Sequence, residues 1–151
     1  DRGSIHGHIE SALKDYSENG VPFGVLTIGL DHMEGLRESI GARGCDAVLW
    51  ATVRTLARNL SHADLIGRWD KNRFVALIAD GRPADLAAAA EGLRALATFT
   101  AVPWWGDRIS PTVSIGATTV KAADTMPALI ARLEKALEHC TKEGGNRVTQ
   151  V

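Results

Sequence analysis

The chain has 151 residues, and its 17 Lys plus Arg against 18 Asp plus Glu leave a formal charge of -1. That length suits one domain with a substantial core, and the charge balance excludes a general electrostatic pull toward polymeric nucleic acid or an anionic membrane surface. No apolar run is long enough to insert into a bilayer, and the opening residues lack the basic start and apolar stretch of a secretion signal, so a cytoplasmic domain is expected.

In chain order, His6 and His8 read as a flexible terminal pair with no partners for a metal. Residues 8–19 place Ile9, Leu13 and Tyr16 at helical spacing, closed by Asn19-Gly20. Residues 23–30, "FGVLTIGL", are apolar on both alternating faces, as a central strand is when covered on each side. "MEGLRESI" predicts a short helix ending at Gly41. "CDAVLWATVRTLARNL" predicts a longer one with Leu49, Val53, Leu56 and Leu60 on one face.

Two strands, residues 64–69 and 73–79, then flank a polar turn of Asp70, Lys71 and Asn72, with Arg73 opening the second strand. Pro83 suits the first turn of a helix over residues 83–97, whose buried stripe is Leu86, Ala90, Leu93 and Leu96. A Pro, Trp and Gly connection follows, in which Trp104 and Trp105 form an exposed apolar patch suited to a partner. "TVSIGATTV", residues 112–120, is a further strand, and Met126 through Cys140 mark the last helix. Gly144-Gly145-Asn146 stops that helix, and "RVTQV" adds an edge strand. Cys45 and Cys140 stand outside any CxxC arrangement, which favours buried reduced thiols over a disulfide or a zinc site. The order indicates an α+β fold, helices on a mainly antiparallel sheet, in a single domain over residues 1–151.

With "RWDKNRF" on the hairpin, "SIGA" on a later strand and "GGNRV" near the end, this order resembles the GGDEF domain of diguanylate cyclases. "GLDHMEGLRESIGARGCDAVL" is similar to that family's DxDHFKxINDxxGHxxGDxxL segment, with Asp31, His32, Gly41 and Asp46 in register. Each match is weak alone; their joint spacing over nearly the whole chain carries the resemblance. It implies a nucleotidyl cyclase-like fold, a five-stranded sheet around a ferredoxin-like core. The opening "DRGSIHGH" departs from the family's Asp-x-Leu-Thr-Gly-Leu motif.

The family joins two GTP molecules into cyclic di-GMP using divalent metal ions held by carboxylates on the first strand and the hairpin. Arg68, Trp69 and Phe74 keep the hairpin's frame, while Asp70, Lys71, Asn72 and Arg73 stand where the resemblance places Gly-Gly-Asp-Glu. Gly29 takes the place of the strand's metal-binding Asp and Asn72 that of the hairpin's. Arg73 puts a positive charge where a metal would sit. Of the guanine-binding pair, Arg37 replaces Asn and Asp46 is kept; the phosphate-binding Lys and Arg fall on Thr141 and Gly145. At the product-binding inhibitory site, Ser61 replaces Arg and Asp64 is retained. Arg58, one turn earlier, is weighed as a substitute against an ordinary surface arginine. Asp31 and Asp70 are weighed as substitute metal ligands, with ordinary solvated carboxylates favoured because Lys71 and Arg73 would flank the ion.

The expectation is a domain with no catalytic residues, metal or cofactor, cut from a larger multidomain signalling protein that is itself free to be membrane-attached. It would act as a regulatory or interaction module, partnering other domains of that protein or a signalling protein, or a second copy. The alternative is a sensor that binds GTP or cyclic di-GMP without reacting through Asp46, Arg37, Lys71 and Arg73. An active cyclase with displaced ligands ranks last.

Overall fold

A computed structural model describes residues 2–151; Asp1, the first residue of the expected domain and of the opening "DRGSIHGH", lies outside the described residues. The elements are α1 (Arg2–Asn19), β1 (Gly24–Leu30), α2 (Met33–Ala57), β2 (Leu65–Arg68), β3 (Arg73–Ile78), α3 (Pro83–Thr98), β4 (Val102–Trp104), β5 (Asp107–Ile109), β6 (Val113–Thr119), α4 (Met126–Lys142) and β7 (Val148–Gln150). The main sheet has the order β2-β3-β1-β6-β7. Its first three pairings are antiparallel and β6 with β7 is parallel, so the expected α+β fold with a mainly antiparallel five-stranded sheet is what forms.

Period-two alternation sorts the two cores. Leu26 and Ile28 of β1, Phe74, Ala76 and Ile78 of β3, and Ile115 and Ala117 of β6 pack with Leu49, Val53 and Leu56 of α2 and Leu86, Ala90 and Leu93 of α3. Val25, Val75 and Leu77 point the other way, to Ile5 and Ile9 of α1 and Leu129 and Leu133 of α4. Gly116 lets α4 lie flat on the sheet, since a Cβ there would stand 2.9 Å from the Leu133 carbonyl oxygen.

Four expectations change. The first helix begins at Arg2 rather than residue 8, because Ile5 extends the stripe of Ile9 by one turn and is buried with it. His6 and His8 are therefore helical residues, not a loose terminal pair. The two helices expected after the first strand meet at Gly41, whose φ of 74° and ψ of 177° break the helical path; the second resumes at once rather than at Cys45 and stops at Ala57. The connection after α3 holds a short antiparallel pair, β4 with β5, turning at Trp105 and Gly106, both with positive φ. Trp105 is 88% exposed there, with Trp104 edge-on to it. Both cysteines are buried and free.

Candidate functional site

The β2–β3 turn is closed by its own backbone, Trp69 and Asp70 both donating N–H to the Arg73 carbonyl. Arg68 braces it from outside, Nε to the Asp70 carbonyl at 3.1 Å and Nη2 to the Lys71 carbonyl at 2.8 Å. The Asp70 carboxylate turns inward: it accepts from the Asn72 amide at 3.0 Å and from Arg73 Nε at 2.8 Å, and Arg73 Nη2 lies 2.7 Å away. Partial burial works against ionisation of Asp70, but the Arg73 guanidinium and the Asn72 amide outweigh it and hold the carboxyl below its ordinary range. Asp70 is thus an ion-paired carboxylate, not the ordinary solvated one expected.

Arg73 faces Gly29 directly across the β1–β3 register. A Cβ on Gly29 would touch Leu137 at 3.5 Å and the Arg73 stem at 3.9 Å, so the space above this glycine is bounded by α4 and by Arg73 itself. The same guanidinium reaches Glu134 of α4 at 3.6 Å. Beyond it opens a cleft of about 520 Å³ lined by Arg73, Glu134, Leu137, Glu138, Thr141 and Lys142. Two cations and two carboxylates share that lining. Thr141 stands at its rim with its hydroxyl bonded back to the Leu137 carbonyl.

On the α2 side, Arg37 Nη2 donates to Asn72 Oδ1 at 3.2 Å, while its Nε is buried without a hydrogen-bond partner. Asp46 is exposed and meets Arg68 at 3.4 Å; the Arg68 guanidinium lies 5.7 Å from the centre of the Trp50 ring. Lys71 projects into solvent at the tip of the turn.

Asp31 shares the face of Gly29, two residues back on the strand, yet its carboxylate is already occupied. It accepts from Thr112 Oγ1 at 2.6 Å, Ser114 Oγ at 2.7 Å and the Asn146 amide at 2.8 Å. The expectation of an ordinary solvated aspartate is corrected: Asp31 ties the end of β1 to β6 and to the loop after α4. Gly145 lies beneath it with φ at 77°, where a Cβ would come within 2.8 Å of the carboxylate. Gly145 is therefore a close-approach glycine of that junction.

Asp64 accepts the Ser61 amide at 3.1 Å and the Ala79 amide at 2.9 Å, so the Ser61-to-Asp64 turn is anchored to the end of β3. Arg58 is exposed at the C-terminus of α2.

Sequence reasoning did not single out Glu134, the second carboxylate on Arg73, because its contact depends on how α4 crosses the sheet. It also missed Thr112, Ser114 and Asn146 as holders of Asp31. The alternation that puts Ser114 on the face of Thr27 and Gly29 was the available signal. Among the described residues no three His, Cys, Asp or Glu side chains converge closely enough to hold a metal.

The model of the family described as "Diguanylate cyclase, GGDEF domain" matches residues 1–147. The response regulator PleD of Caulobacter vibrioides is 28% identical over 151 residues, covering 97% of this chain and 33% of that protein. Diguanylate cyclase A of Treponema denticola is 24% identical over 126 residues, 83% of this chain and 34% of that protein. The chain thus spans about a third of the length of these curated relatives. Among solved structures, the diguanylate cyclase SiaD of Pseudomonas aeruginosa, in complex with its activator SiaC, superposes with a TM-score of 0.95 at 21% identity, covering 99% of this chain and 58% of that one. The GGDEF domain of DgcB from Caulobacter crescentus, in complex with c-di-GMP, gives 0.92 at 19% identity, covering 99% and 89%. With the family model matching residues 1–147, this chain belongs to the GGDEF domain family of cyclic di-GMP signalling.

Proposed function

We propose that this domain does not make cyclic di-GMP and works instead as a regulatory or interaction module within a larger signalling protein. One observation carries the reading: Arg73 pairs with Gly29 at the end of β1, its stem beside that glycine and its guanidinium between the carboxylates of Asp70 and Glu134. A pair of divalent cations needs several anionic oxygens converging on one point. The residues present do not fit that need. Gly29 offers no side-chain donor, the Asn72 side-chain amide is neutral and accepts from Arg37, Asp31 is spent on Thr112, Ser114 and Asn146, and Asp70 is neutralised by Arg73. A fixed positive charge in the same place adds repulsion to the lack of ligands.

Purified protein incubated with GTP and magnesium should leave the GTP unconverted by chromatography. Formation of cyclic di-GMP above a protein-free control would overturn the proposal.

A second reading, a sensor that binds GTP or cyclic di-GMP without turnover, is favoured by the buried Nε of Arg37, which has no hydrogen-bond partner and would bond an acceptor on a ligand. Calorimetric titration with each nucleotide separates the two. Micromolar binding lost in both Arg37→Ala and Arg73→Glu supports the sensor; no heat with either nucleotide supports the interaction module.

A further inference from the structure

The hairpin turn is held from three sides. α2 holds it through Arg37 on Asn72, a part-buried hydrogen bond, and α4 through Glu134 on Arg73, a partly exposed ion pair. The third contact is apolar and comes from α1. Trp69, the residue just before the turn, is 6% exposed and belongs to the same cluster as Ile5 and Ile9 of α1 and Val75 and Leu77 of β3. The His6 imidazole lies on its indole, ring centroids 5.7 Å apart and planes 16° from parallel. His6 is itself fixed on α1, its Nδ1 3.4 Å from Glu10 one turn on.

We propose that α1 is a conformational input to the hairpin, and that the His6–Trp69 stack is the contact through which it acts. The physical chain is short. The Trp69 amide donates to the Arg73 carbonyl, so the angle at which the indole seats against α1 sets the backbone of the residue that carries the guanidinium. The ion pair to Glu134 is partly exposed and screened by solvent, whereas a buried aromatic gives a large, dry contact with a defined orientation. Moving α1 by a fraction of a turn would withdraw His6, Ile5 and Ile9 from Trp69 and weaken the apolar hold on the turn. Whatever displaces α1 therefore loosens the stretch that presents Lys71, Asn72 and Arg73. This inference stands apart from whether the site is catalytic: it concerns the order of the turn, which is measurable without any nucleotide.

The test is amide hydrogen exchange in His6→Ala and His6→Phe, read at Trp69 and Asp70, with Ile115 on β6 as the reference. The Ile115 amide donates to the Arg147 carbonyl at the far side of the sheet. Loss of one aromatic pair should speed exchange at Trp69 and Asp70 by roughly three- to tenfold in His6→Ala, with Ile115 unchanged. His6→Phe keeps a flat ring on the indole and should restore protection. His6 is partly exposed, so neither change empties the core. Trp69→Leu, which keeps an apolar residue in the cluster but removes the ring, should mimic His6→Ala at Asp70. Unchanged exchange at the turn, an equal rise at Ile115, or failure of His6→Phe to restore protection would each overturn the proposal.

Discussion

Arg73 and Gly29 face each other across the β1–β3 ladder, and the arginine side chain leaves that pair to bond Asp70 at 2.7 Å and approach Glu134 at 3.6 Å. A strand pair in the middle of the sheet thus sets a cation against a glycine.

Removing the cation should cost little stability. The Arg73 and Asp70 side chains are 23% and 39% exposed, so solvent screens their attraction. Arg73→Ala is expected to lower unfolding free energy by about 1 kcal/mol or less in urea titration. The Asp70 carboxyl should rise back toward its ordinary range, visible by carbon-detected NMR titration, since its chief counter-ion is gone.

Arg132 and Asp124 form a far more enclosed pair, 20% and 6% exposed, joined at 2.7 Å between Nη2 and Oδ2 and at 2.9 Å between Nη1 and Oδ1. The Arg132 Nε also donates to Thr118 Oγ1 at 2.9 Å, so the pair staples the loop after β6 to α4. Arg132→Met leaves the carboxylate without its partner and should cost about 3 kcal/mol by denaturant unfolding. The Arg132 guanidinium holds the Asp124 carboxyl below its ordinary value, so the folded state binds its proton less readily than the unfolded chain does. Its stabilisation is therefore full above the ordinary carboxylate range and is lost as pH falls through the lowered folded value. Asp124→Asn should flatten that acid limb of the stability curve.

Gly145→Ala should destabilise the domain by about 2 kcal/mol, combining the strain of a positive φ with the crowding of Asp31. Asp31→Ala would leave the hydroxyls of Thr112 and Ser114 and the Asn146 amide without their acceptor, at a cost of about 2 kcal/mol. Because Asp31→Ala removes the atoms that a Cβ at 145 would strike, the double variant should be less destabilised than the sum of the two. A double-mutant cycle by thermal unfolding checks this.

Much of the fold was legible because its signals are local. The both-faced apolar strand at residues 24–30, the Pro83 start of α3 and the glycine pair after α4 each announce themselves within a few residues. The β4–β5 pair escaped because its strands have three residues each, too few to show alternation, and a tryptophan occupies a left-handed turn position normally given to Gly or Asn. His6 escaped because the glycines at positions 3 and 7 mask helical propensity that packing against Trp69 and Val75 overrides. At the site, the residue types were readable and their partners were not. Asp31 meets an amide 115 positions away, and Arg73 meets Glu134 only because Gly116 lets α4 settle closely on the sheet.

The central claim concerns cations, and manganese reports on it most directly. Electron paramagnetic resonance of manganese with a non-hydrolysable GTP analogue should give the same spectrum with and without saturating protein. A protein-dependent broadening that Arg73→Glu leaves in place or strengthens would show divalent ions seated beside the hairpin, and would contradict the account.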